Sequence, residues 1–178
     1  MKSIKTDPLL GAAKVVVVLS QIAIIFGMVM LGIGLGALLT VGRAEIMSEI
    51  AGAGAPPAAL WLIALAMLVG FVILALALRF LKELRGIIDS VDEGDPFRPD
   101  NAVRLNRMGW IAVAGQVLVL PVAALAIWLA PYADKAHKEV HLDGGPDGGM
   151  ILLTLILFIL ARVFRRGAEM REELEGTV

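Results

Sequence analysis

The chain has 178 residues, of which 58% are hydrophobic and 19% charged, with a formal net charge of −1 and a mean hydropathy of +0.83. A soluble domain of this size cannot enclose so much apolar surface, so lipid must cover part of it. The near-neutral charge gives no basis for a nucleic-acid surface, and the absence of cysteine excludes disulfides, thiolate nucleophiles and cysteine metal ligands.

No charged residue occurs between Lys14 and Arg43, and residues 15–39 are apolar apart from Ser20 and Gln21. That stretch makes a helix of roughly 37 Å, enough for a first span. Lys2, Lys5 and Lys14 provide the basic start of a signal peptide. The apolar run is too long for one, however, and no small-x-small cleavage site follows closely. Within the span, Gly32 and Gly36 form a GxxxG pattern, with Gly27 and Gly34 nearby; such spacing serves intramolecular packing as well as dimerisation.

A second uncharged stretch, residues 58–78, follows Pro56, Pro57 and opens at Trp61. Its helical pattern does not stop at the membrane: Phe80, Leu84, Ile87, Ile88 and Val91 fall on one side, and Arg79, Lys82, Glu83 and Asp89 mostly on the other. One helix over 58–91 is predicted, broken by Glu93-Gly94-Asp95-Pro96. A new helix starts near Pro99 or Asp100, capped by Asp100 or Asn101, and passes through Arg104, Leu105 and Met108 into a third span at 110–130. Pro121 leaves the Val117 carbonyl without its usual donor and predicts a kink.

Beyond Pro131 and Tyr132, His137 and His141 stand four apart among Asp134, Glu139 and Asp143. This is metal-ligand spacing, but Lys138 occupies the position of the zincin glutamate, and the competing reading is a solvated loop running into the glycine-rich residues 144–149. The fourth span, residues 150–164, is interrupted by Arg162. At roughly 22 Å it needs bilayer thinning, a snorkelling arginine or cover from neighbours. Residues 165–175 are charged yet helix-compatible and continue it.

Loop charge sets direction. Thirteen Lys and Arg lie in the N-terminal segment, in residues 79–107 and from Arg162 onward, against three (Arg43, Lys135, Lys138) in the other loops. The positive-inside rule then places both termini and the middle loop in the cytoplasm, with Trp61, Trp128 and Tyr132 at the outer boundary and Trp110 at the inner one. The fold expected is all-α: an integral membrane four-helix bundle, one domain over 1–178, with spans at about 15–39, 58–78, 110–130 and 150–164. Helices two and four extend into the cytoplasm, which receives the loop 79–109 and the tail 165–178.

Gln21, Gln116 and Arg162 fall at similar depths, roughly 10 Å into the bilayer. They form a candidate intramembrane polar cluster for a ligand, ion or switch, set against plain interhelical hydrogen bonding worth roughly 1 kcal/mol per contact. No Walker loop, Gly-x-Ser-x-Gly elbow or dinucleotide fingerprint occurs, and no nucleophile pairs with a base across the loops, so neither an enzyme nor a cofactor is expected.

Gly94-Asp95-Pro96-Phe97, then Asn101, Arg104-Leu105 and Gly109-Trp110, and the closing run Phe164-Arg165-Arg166-Gly167-Ala168-Glu169 with Leu174, Thr177 and Val178, form a combined pattern. It resembles the bacterial YoaS-like family of four-span membrane proteins of unknown function, over roughly residues 10–178. The resemblance implies no activity. Relatives are often encoded beside a small helix-turn-helix regulator, which implies a cytoplasmic protein partner of that kind. Many carry an acid where this chain has Arg162, and a role for that acid does not carry over.

Structurally, Gly94 and Pro96 end one helix, Phe97 anchors the turn, and Arg104 and Arg107 meet lipid phosphates or the acidic tail Glu169, Glu172, Glu173 and Glu175. Functionally, the leading expectation is a non-enzymatic regulatory protein of the bacterial inner membrane. Its contact surface is this loop and tail, its partners are the lipid bilayer, a cytoplasmic protein and a second copy of itself, and it contacts no nucleic acid directly. The alternative is a small oligomeric transporter or channel lined by Gln21, Gln116, Thr154 and Arg162.

Overall fold

The computed structural model describes residues 8–135 and 148–175. Among them are five helices and no strand: α1 (Pro8–Leu39), α2 (Arg43–Gly52), α3 (Ala58–Asp92), α4 (Pro99–Lys135) and α5 (Gly148–Glu175). Four of these, all but α2, are long and apolar enough to cross a membrane.

Their exposed faces require such a solvent. On α1 alone, Val15, Val16, Leu19, Ile22, Ile25, Phe26, Val29, Met30 and Ile33 are each more than half exposed. A water-soluble protein does not leave contiguous apolar patches of that size uncovered. Helix α5 repeats the pattern with Ile151, Leu152, Leu155, Ile159 and Val163.

The helix bounds follow local chemistry. Helix α3 runs through its charged half and stops at a Schellman cap: Gly94 takes φ +82°, its N–H donates to Val91 O, and the Asp95 N–H donates to Ser90 O, each at 3.0 Å. The same closure ends α2, where Gly54 at φ +72° is followed by the Ala55 N–H donating to Ile50 O. Helix α4 opens with Pro99, whose missing N–H costs nothing in a first turn, and Asp100 beside it suits the positive end of the helix dipole. Both Pro121 and Pro131 lie inside α4.

Two differences from the sequence expectation have clear causes. The segment after the first span is not simply a loop: α2 forms because Ile46, Met47 and Ile50 share a face that packs against Leu38 and Leu60. Helix α4 starts at Pro99, so Asp100 and Asn101 lie within its first turn and neither is the residue that precedes the helix. Asn101 turns inward instead.

The chain divides into two compact units. The first comprises residues 1–24, 76–114 and 148–178, as far as they are described, with a core of Leu105, Met108, Leu157 and Ala161 against Phe80, Leu84, Ile87 and Phe164. The second comprises 25–75 and 115–147, as far as they are described, centred on Leu38, Ile50, Ala59 and Leu60. In the second unit α1 and α3 approach through glycine. A Cβ on Gly34 would stand 3.2 Å from Met67 Cε, and one on Gly70 3.5 Å from Leu31. Gly32 and Gly36, the GxxxG pair, face open space. Arg43 stacks on Trp61 at 5.8 Å, and Trp128 lies against Tyr132 at 5.7 Å.

Candidate functional site

The polar chemistry of the first unit concentrates where α3, α4 and α5 carry charged residues. Asn101 is fully buried in the first turn of α4. Its Nδ2 donates to Ser90 Oγ at 2.5 Å and to Pro96 O at 2.9 Å, while Ser90 donates its own proton to Ile87 O. One carboxamide thus joins the last turn of α3, the connecting turn and the start of α4. Both amide protons are spent, and Asn101 Oδ1 has no partner among the described residues.

The turn is also fastened to α5. The Phe97 ring lies on Gly167, where an added Cβ would come within 2.8 Å of it, and packs on Phe164 at a centroid distance of 5.4 Å. Asp95 accepts from Arg171, and Arg98 bridges Glu93 at 2.7 Å and Asp95 at 3.4 Å. A little along, Gly109 lets Phe158 sit against the α4 backbone, and Phe158 meets Trp110 edge-on at 5.7 Å.

Two ion clusters lie along the charged half of α3. Lys14 on α1 pairs with Asp92 at 2.8 Å and Asp89 at 3.1 Å, offsetting the acidic charge that would otherwise oppose the α3 dipole at its C-terminal end. Glu83 is buried, with Arg79 at 3.5 Å and Arg107 at 3.7 Å, both arginine side chains being largely exposed. Arg107 therefore has a carboxylate partner on α3 as well as access to the surroundings, and the Arg104 guanidinium lies over Gly86.

The sequence candidates are placed as follows. Gly94, Pro96, Phe97, Asn101, Leu105, Phe164 and Gly167 all belong to the first unit, with Asn101, Phe97 and Gly167 in the contacts just described and Leu105 and Phe164 in its core. Arg104 joins them through Gly86. Of the polar cluster, Gln21 and Arg162 belong to the first unit and Gln116 to the second; the two glutamines are half-buried and Arg162 is exposed. Thr154 donates to Met150 O of its own helix at 2.8 Å. His137 and His141 lie outside the described residues, among which no three His, Cys, Asp or Glu side chains gather as metal ligands.

The sequence places Glu83 on the charged side of α3, where the structure buries it, and does not single out Ser90. Glu83 carries one usable signal, its position four residues after Arg79. Ser90 carries none, because what makes it matter arrives from eleven residues away.

The class these features define is an all-helical protein with four helices fit to cross a membrane and its conspicuous polar chemistry at one tied turn. The chain belongs to the family described as protein of unknown function (DUF2975), whose model matches residues 38–178. The match spans both stretches that carry the sequence resemblance. No curated protein and no solved structure matches the chain.

Proposed function

We propose that this chain is a non-enzymatic regulatory protein of the bacterial inner membrane that presents the 93–98 turn and the far end of α5 to a cytoplasmic protein partner. The positive-inside bias supports that direction, with both termini and the turn in the cytoplasm.

One observation carries the reading. A groove of about 250 Å³ runs between α4 and α5, with buried Ala102 and Ala168 at its floor and exposed Pro99 and Val103 at its edge. Its rim is Arg165, Glu169 and Glu172. An apolar floor inside a charged rim is the usual make-up of a protein interface. The tied turn holds α4 and α5 in register beneath it, so a partner would meet a prepared surface. A small helix-turn-helix regulator, the partner implied by the family resemblance, could supply one apolar helix face to such a groove.

A photo-crosslinking residue at Val103, which lines the groove, tests this in native membranes. A single protein adduct is expected, lost when Ala168→Trp fills the groove. No protein adduct, or one indifferent to Ala168→Trp, refutes the proposal. Flux through reconstituted liposomes above that of empty vesicles would favour the oligomeric transporter or channel instead.

A further inference from the structure

The cations of the first unit are not alike. Lys14, Arg79, Arg85, Arg98, Arg107 and Arg171 each have a carboxylate within 4 Å. Among the described residues Lys82, Arg104, Arg162, Arg165 and Arg166 have none, and three of these five line one groove. That groove, about 360 Å³, also takes in Asn106 from α4. Glu169 stands on it too, beyond ion-pairing distance of all three arginines.

Spacing explains the grouping. Residues 158, 161, 162, 165, 166 and 169 recur at intervals of three and four, so they form one stripe along α5. The stripe changes character within a turn: Phe158 and Ala161 are apolar, and Arg162, Arg165 and Arg166 follow directly. Trp110, mostly exposed, stands edge-on to Phe158 at the apolar end, as an indole does at a membrane–water boundary. An acyl chain laid over Phe158 and Trp110 would bring its phosphate to the three guanidiniums, with the Asn106 amide as a further donor.

We infer that this groove is a binding site for the phosphodiester headgroup of an anionic phospholipid; it adjoins the protein groove, sharing Arg165 and Glu169 with it, but its ligand does not depend on a protein partner. A soluble phosphate would use the arginines but gain nothing from the apolar end of the stripe. The geometry therefore commits the site to lipid.

The test is native mass spectrometry of the full chain in detergent, titrated with phosphatidylglycerol and, separately, phosphatidylcholine. Wild type should retain one phosphatidylglycerol in preference to phosphatidylcholine, and Arg162→Gln/Arg165→Gln/Arg166→Gln should weaken that binding by about tenfold or more. A charge-matched control, Arg43→Gln/Lys82→Gln/Arg85→Gln, should change it by less than about twofold. Should the triple variant fail to fold, Arg166→Gln alone, at an exposed position, should still cost about fivefold. Equal uptake of both lipids, equal loss in the control, or unchanged binding in the groove variants overturns the proposal. Displacement of the lipid by millimolar inorganic phosphate also overturns it, since the site would then belong to a free anion.

Discussion

The Asn101 carboxamide donates to the Ser90 hydroxyl, tying the first turn of α4 to the last turn of α3 across the Gly94 cap. Because both groups are almost wholly buried, neither can exchange the other for water.

That geometry makes Asn101 the most sensitive polar position of the turn. Asn101→Ala should cost about 1–3 kcal/mol, read as a lowered unfolding midpoint in detergent. Asn101→Asp should be worse near neutral pH, since a carboxylate would face the Pro96 carbonyl with no proton to donate. Protonation restores a donor, and the folded form takes up that proton more readily than the unfolded chain. The deficit relative to Asn101→Ala should therefore shrink as pH falls. A pH-independent difference would contradict the donor assignment.

Glycine substitutions should split by what they meet. At Gly167 a methyl collides with the Phe97 ring, and overpacking of about 1–3 kcal/mol outweighs the roughly 1 kcal/mol gained in helix propensity. At Gly115 nothing lies within 4 Å, so alanine should stabilise by about 1 kcal/mol or less. Thermal melts of Gly167→Ala and Gly115→Ala should thus shift in opposite directions, and proteolysis at the 93–98 turn should quicken only in the former.

The Glu83 cluster should respond asymmetrically. Removing the acid by Glu83→Gln frees two arginines whose side chains are already 59% and 57% exposed and can rehydrate, at a cost of about 1 kcal/mol or less. Removing both arginines leaves a buried carboxylate without a counter-charge, which costs about 3 kcal/mol or more. Comparing the melts of Glu83→Gln and Arg79→Gln/Arg107→Gln checks the order; a larger loss in Glu83→Gln would show that the acid is hydrated after all.

Direction across the membrane can be read directly, because the chain has no cysteine. Ser48→Cys on α2 and Lys82→Cys on α3 are both exposed positions. In intact cells an impermeant maleimide should label the former and spare the latter until the membrane is opened. The reverse pattern would invert the orientation proposed above.

How far these features were legible from residues depended on range. The end of α3 was readable because Gly94 and Pro96 are breakers that act on their own backbone, and the start of α4 because proline suits a first turn. The capping role expected of Asp100 or Asn101 was displaced by one contact: Ser90, eleven residues back, gives the Asn101 amide a buried partner. Helix α2 was missed because an amphipathic stretch of ten residues is marginal alone and forms against Leu38 and Leu60.

Length, apolar content and the placement of charge therefore belong to the sequence alone: they determine four helices able to cross a membrane, since transfer into lipid is summed residue by residue. Which face of each helix meets another was decided only in three dimensions. An α1 that is apolar on every side has no stripe to announce its packing face, and Gly34 rather than Gly32 or Gly36 receives the side chain of Met67. The seat of Phe97 on Gly167 and the pairing of Glu83 with Arg107 likewise depend on segments far apart in the chain, where fit between surfaces, and no local preference, selects the partner.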